Sequence, residues 1–206
     1  MSVRVKICGI TQYEDAHTAV GLGVDALGFN FYPGSPRFVE PRVARDIIRR
    51  LPPFVAKVGV FVDEDPAKVR EVAEYTGIDT LQLHGSETPE YCAQFTQSVV
   101  KAFRVARDLP RPDYDAYPVS GYLLDTWDAA SKGGTGRTFD WTIAREACVS
   151  HANIILAGGL GPSNLQEALE AVRPYAVDLN SGVEVKPGVK NPHKMGDAIR
   201  IVRSFR

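Results

Sequence analysis

With 206 residues, 44% hydrophobic and 24% charged, the chain is long enough for one sizeable core and short for two. Lys and Arg number 24 against 25 Asp and Glu, so no net field draws in nucleic acid or an acidic membrane, and an anionic ligand must be met by local charge. The opening MSVRVKICGI has no signal-peptide pattern, and no run reaches the ~20 apolar residues of a membrane span. Three cysteines (Cys8, Cys92 and Cys148), odd in number and without a C-x-x-C, point to a reduced, cytoplasmic protein.

Along the chain, short β-like runs alternate with amphipathic helical stretches. Residues 3–7 read as a strand; Thr11 with Glu14 forms a capping box, and Ala16, Ala19 and Val20 share one helical face. Residues 25–31 are a second strand, followed by helical spacing at Val43, Ile47, Ile48 and Leu51. A third strand spans 55–62, after which Asp65 before Pro66 marks an N-cap and Gly77 a C-terminal stop. Residues 80–83 form the fourth strand, with Tyr91, Cys92 and Phe95 on a helical face, and 99–105 form the fifth.

Prolines crowd residues 110–118, so any helix there is short or irregular. The sixth strand is 122–125, followed by Ile143, Ala144, Ala147 and Cys148 on a helix. Residues 153–156 are the seventh; Ser163 and Gln166 form a second capping box before Leu165, Ala168, Leu169 and Val172. Residues 176–179 are the eighth, and Met195, Ile199 and Val202 suit a closing helix. Parallel strands need crossover helices, so eight β/α units fit a parallel sheet. An open doubly wound sheet satisfies the alternation too, but eight units without a leading G-x-G-x-x-G favour a closed (β/α)8 TIM barrel, one domain over 1–206.

Such barrels carry their chemistry at the C-terminal strand ends. Those ends supply Cys8-Gly9, a loop to Arg37, Asp63, His84-Gly85, Arg104, Asp125-Thr126, Gly158-Gly159 and Asn180-Ser181-Gly182. Free cysteine is ordinarily a small buried hydrophobe, which suits Cys92 and Cys148. Cys8, however, ends a strand, and Lys6, two residues earlier, points to the same face, where its charge favours a thiolate. Asp125 closes an apolar run; lost hydration would raise its pKa and keep it an acid, or it is a loop-capping structural aspartate.

Gly134 and Gly136 in the run Lys132-Gly133-Gly134-Thr135-Gly136, Gly158-Gly159 and Ser181-Gly182 let backbone amides approach an anion. The last two pairs follow strands seven and eight, where barrels often hold phosphate. Arg37 is either a solvated loop residue or a bidentate clamp for a carboxylate. His84 is an acid/base or a hydrogen-bonded strand-end residue, and His17, His151 and His193 suit the surface. Asp178 is expected to be a buried charge paired with an inward-facing group such as Lys6. No His, Asp or Glu cluster has metal-ligand spacing, so no metal is expected.

The motifs Lys6-Ile7-Cys8-Gly9-Ile10-Thr11, Gly28-Phe29 with Phe31-Tyr32-Pro33 and Ser35-Pro36-Arg37, and Gln82-Leu83-His84-Gly85 resemble those of the phosphoribosylanthranilate isomerases. So do Leu124-Asp125-Thr126, Gly133-Gly134-Thr135-Gly136 with Phe139-Asp140-Trp141, Ala157-Gly158-Gly159-Leu160 and the stretch from Asp178 to Glu184, in order over nearly the whole chain. The resemblance implies an Amadori rearrangement in tryptophan biosynthesis, from N-(5-phosphoribosyl)anthranilate to 1-(2-carboxyphenylamino)-1-deoxyribulose 5-phosphate. It implies Asp125 as general acid, Cys8 as general base, Arg37 on the anthranilate carboxylate and the glycine loops on phosphate. It implies no cofactor.

Among related barrels, an indole-glycerol-phosphate synthase would bring an N-terminal helical extension, whereas the first strand here begins almost at once. A metal-dependent pentose-phosphate epimerase would need paired histidine and aspartate ligands, and the aminoaldose isomerase of histidine biosynthesis has aspartate where Cys8 stands. A catalytically silent barrel that binds a phosphorylated metabolite is the alternative from another class. The expected partner is a small-molecule substrate, with no nucleic acid or membrane, on a monomer or homodimer.

Overall fold

The computed structural model describes residues 2–106, 108–125 and 141–205. Eight parallel strands close into a barrel in chain order: β1 (Arg4–Ile7), β2 (Ala26–Asn30), β3 (Ala56–Phe61), β4 (Thr80–Leu83), β5 (Ser98–Arg104), β6 (Gly121–Asp125), β7 (Ile154–Ala157) and β8 (Ala176–Leu179). Closure is by β1 against β8, with Lys6 opposite Asp178 and Ile7 opposite Leu179. Around it lie α1 (Tyr13–Gly21), α2 (Pro41–Ile48), α3 (Pro66–Thr76), α4 (Pro89–Cys92), α5 (Thr142–Ser150), α6 (Leu165–Val172) and α7 (Pro192–Ser204). The expected closed barrel is the one found.

Side chains alternate between two cores because strand residues alternate faces. Outward-facing Leu27, Phe29, Leu81, Leu83, Leu124 and Leu156 are fully buried against the helices, each worth roughly 1.5–3 kcal/mol of transfer free energy. Inside the barrel, Ala102, Leu123 and Ala157 form a separate small cluster with Val100 and Ile155. The residues in phase with that inner set include Asp125 on β6, two positions beyond Leu123.

Local signals explain several helix ends. Asp65 accepts from Ala67 N and Lys68 N, Pro66 opens α3, and Gly77 ends it at φ 82°, a left-handed conformation that favours glycine. The two expected capping boxes do not form. The helix after Thr11 starts from Gln12 without a side-chain cap, because the Thr11 hydroxyl donates to Gly188 O at 2.5 Å. Helix α6 starts after Asn164, not Ser163, and the Asn164 side chain accepts from Gly161 N and donates to Gly159 O. In both cases a loop contact takes the group that a local cap would have used.

The proline-rich connection from β5 to β6 holds a 3-10 turn, Tyr114–Ala116. Aromatic packing covers the barrel there: Phe103 meets Tyr114 and Tyr117 edge-on, and Tyr122 Oη donates to Tyr114 O. After β8 an antiparallel hairpin, β9 (Glu184–Lys186) and β10 (Val189–Lys190), precedes α7. It is tied to the first β/α unit through Thr11 and through Asp15, which accepts from Lys190 N.

Candidate active site

At the C-terminal end of β1, Lys6 and Cys8 face inward. Lys6 Nζ donates to both oxygens of Asp178 across the closing seam, at 3.0 and 2.9 Å, with both side chains buried. Gly28 on β2 makes room for this group: a β-carbon there would lie 2.8 Å from Cys8 Sγ and 2.9 Å from Lys6 Nζ. Sulfur and ammonium therefore share one small space. Burial would depress the Lys6 ammonium, but Asp178 and Cys8 outweigh it and hold its pKa above the ordinary value.

The thiol itself goes the other way. Burial pushes Cys8 up; Lys6 and Lys190 pull it down without reversing the direction, while Asp178 adds to the rise. The expected thiolate-favouring effect of Lys6 is present but does not win, because the desolvation of a buried thiolate outweighs it, with Asp178 adding to the rise. Cys8 rests as a thiol.

Arg37, in the loop after β2, reaches across Gly9, where a β-carbon would come within 2.7 Å of its Cδ. Its Nε donates to Glu184 Oε1 at 2.9 Å and its Nη2 to Glu184 Oε2 at 2.7 Å. Lys190 Nζ donates to the same carboxylate at 2.8 Å and to Asn180 Oδ1 at 3.0 Å. Burial tends to raise the Glu184 carboxyl, yet Arg37 and Lys190 bring it below its usual range. Sequence pattern alone does not mark Glu184 or Lys190 as site residues, whereas Asn180 stands among the strand-end residues.

On the far side, His84 Nε2 stands 3.6 Å from Asp125 Oδ2, and the two side chains are 33% and 26% exposed. The apolar burial expected for Asp125 is thus only partial. Gln82 Nε2 lies 3.1 Å from His84 Nδ1; an Nδ1 that accepts from this amide leaves the proton on Nε2, facing Asp125. Behind His84, outside the barrel lumen, Lys101 Nζ is buried against Glu87 at 2.9 Å and donates to Gly85 O at 2.8 Å. Glu87 in turn accepts from Gly85 N and Asp63 N, so the ends of β3, β4 and β5 are fastened together.

The loops after β7 and β8 meet backbone to backbone. A β-carbon on Gly182 would fall 2.1 Å from Leu160 O, and one on Gly161 would fall 2.8 Å from Gly182 O. Gly158 (φ 100°) and Gly159 (φ 60°) turn the first loop through left-handed conformations. The amides of Gly158, Gly159, Ser181 and Gly182 donate to no acceptor among the described residues. Concave rows of free amides attract anions. Gly134 and Gly136 lie outside the described residues.

Comparison with known proteins fits this arrangement. Residues 5–200 match the model of the N-(5'phosphoribosyl)anthranilate (PRA) isomerase family. The chain belongs to the PRA isomerase family. A relative named N-(5'-phosphoribosyl)anthranilate isomerase, from Trichlorobacter lovleyi, is 53% identical over 199 residues, covering 96% of this chain and 97% of its own. The crystal structure of the Thermotoga maritima phosphoribosyl anthranilate isomerase superposes with a TM-score of 0.89 at 44% identity, over 98% of each chain. A phosphoribosyl anthranilate isomerase in complex with reduced 1-(o-carboxyphenylamino)-1-deoxyribulose 5-phosphate gives 0.86 at 42% identity, again over 98% of each chain. Both structures share the barrel fold found in this chain. Among the described residues no helix is long and apolar enough to cross a membrane.

Proposed function

We propose that this chain performs the PRA isomerase reaction of tryptophan biosynthesis with Asp125 as general acid and Cys8 as general base. Asp125 gives a proton to the ribose ring oxygen; the C1′–O bond breaks, and the nitrogen lone pair forms an iminium ion. Cys8, once its own proton has passed to solvent, takes the C2′ proton as a thiolate, and the C–H electrons move toward nitrogen to give an enolamine. Tautomerisation moves the enol O–H proton to C1′ to give the ketone, and Asp125 regains a proton from solvent in place of the one Cys8 released, so the reaction as written uses no redox partner and no metal.

The residues present suit these steps. The iminium nitrogen acidifies the neighbouring C–H, so a weak base serves, and its positive charge favours thiolate formation at Cys8 as the proton leaves. His84, 3.6 Å from Asp125, is placed to hold or replace the acid's proton. The free amides after β7 and β8 would take the phosphate, and Arg37 the anthranilate carboxylate. Two anionic anchors fix the sugar between acid and base. The single observation that carries this reading is the convergence of Lys6, Cys8 and Asp178 beneath Gly28, at the same barrel end as the His84–Asp125 pair.

The chain would act on this small molecule in the cytoplasm, as a monomer or a homodimer; sedimentation at two concentrations separates the last two. The reaction is tested by generating labile phosphoribosylanthranilate in place and following its fluorescence decay. Cys8→Ala and Asp125→Asn should each lower turnover by roughly 100-fold or more, while the reduced product analogue still binds. Full turnover in either variant removes that residue from the mechanism. A silent metabolite-binding barrel would show binding without decay in the unsubstituted protein.

A further inference from the structure

A guanidinium group has two edges that can each meet a carboxylate. The side edge presents Nε–H with one Nη2–H; the end edge presents the remaining Nη2–H with Nη1–H. In this chain the side edge of Arg37 is taken by Glu184, through Nε to Oε1 at 2.9 Å and Nη2 to Oε2 at 2.7 Å. No described protein group accepts from Nη1.

Glu184 is itself held from several directions. Lys190 Nζ and Gly188 N donate to its Oε1, at 2.8 and 3.2 Å, and Lys194 Nζ donates to its backbone oxygen at 3.0 Å. Its side chain is 4% exposed, and that of Lys190 is 0% exposed. The Arg37 stem lies over Gly9, whose missing β-carbon leaves the room that Cδ occupies. A long, flexible side chain is thereby fastened along its side edge.

Charge counting supports a ligand for the end edge. Lys6 and Asp178 cancel, and Glu184 cancels one of Arg37 and Lys190. Among these five side chains one positive charge is left over beside the neutral Cys8 thiol, while the buried Asp15 carboxylate is held by Lys190 N. Arg37, 18% exposed, is the cation of this set that a ligand can reach, and its surplus charge favours an anion.

We infer that Glu184 is a positioning residue that occupies the side edge of Arg37 so that its end edge, with the one unmatched positive charge of this cluster, selects a carboxylate-bearing ligand. The inference rests on the reading of Arg37 as receptor of the anthranilate carboxylate. Glu184 touches no substrate in this scheme. Its effect is on discrimination, through the orientation of Arg37.

The test compares two ligands by titration calorimetry: the reduced product analogue with its ring carboxylate, and its phenylamino counterpart lacking only that carboxylate. Glu184→Gln should weaken the first about tenfold and the second less than about twofold, with KM raised more than kcat is lowered. Equal weakening of both ligands, or of neither, overturns the proposal. Arg37→Lys runs beside it. If Arg37→Lys weakens only the carboxylate-bearing ligand while Glu184→Gln does not, the positioning role falls and the Arg37 reading stands; if Arg37→Lys also leaves the two ligands equally bound, the Arg37 reading falls. Should Glu184→Gln fold poorly, Glu184→Gln with Lys190→Met removes one charge of each sign, and the same comparison decides.

Discussion

The two sides of the barrel mouth are built differently. Around β1, β2 and β8, the polar groups are mostly buried and tied in pairs or triads: Lys6 with Asp178, and Arg37 and Lys190 sharing Glu184. Around β4 and β6, His84 and Asp125 are partly exposed and 3.6 Å apart, just beyond a hydrogen bond. The base is held in a rigid, solvent-poor setting where a thiol stays protonated until a cation arrives. The acid stands where water can restore its proton. A mechanism that must both donate and accept protons at separate positions benefits from that contrast.

The contrast is most strongly tested by Lys6→Met, which leaves Asp178 buried without its partner. Loss of one member of a buried pair costs about 3–5 kcal/mol, read as a lower denaturation midpoint at unchanged m-value. A loss below ~1 kcal/mol would mean that this side is as solvated as the other. Gly28→Ala comes next: its methyl group would meet Sγ and Nζ inside 3 Å, and overpacking of that kind costs about 1–3 kcal/mol. Activity should fall in step as Cys8 is displaced, whereas unaltered kinetics would show that the sulfur's position is unimportant.

On the open side, His84→Ala should change stability by no more than about 1 kcal/mol while lowering kcat roughly tenfold or more. If unfolding shows the larger effect, His84 is structural. The smallest signal is a displacement of the pH profile. Burial raises the Cys8 thiol, so the thiolate fraction in the free protein grows only as pH climbs past the ordinary thiol value of ~8.5. The value of kcat/KM should therefore still be rising there, and removing Lys6, which pulls the thiol down, should carry the limb higher. A plateau reached well below that value would place the base elsewhere.

Much of this was legible in the residues themselves, because strands and helices announce themselves locally. Asp65-Pro66 and Gly77 bound α3 as their backbone chemistry demands, and the prolines of 110–118 leave only a 3-10 turn. Lys6 and Cys8 share a face by strand alternation, and Asp178 is Lys6's partner as expected. What stayed hidden depends on distant chain segments. Thr11 finds Gly188 instead of its own helix, and Arg37 finds Glu184, 147 residues away. No local period encodes such meetings. One weak signal was available: Lys101 stands among Val99, Val100, Ala102 and Phe103, where an apolar residue would be ordinary, and it proves to fasten the β4 end beneath His84.

The contact between Gly161 and Gly182 has a practical consequence for redesign. Because each loop fills the space in which the other's side chain would grow, neither can be lengthened or decorated alone; they behave as one machined joint. Efforts to fit a bulkier phosphorylated compound would do better to carve at the His84 rim, where the His84 and Asp125 side chains are already partly exposed.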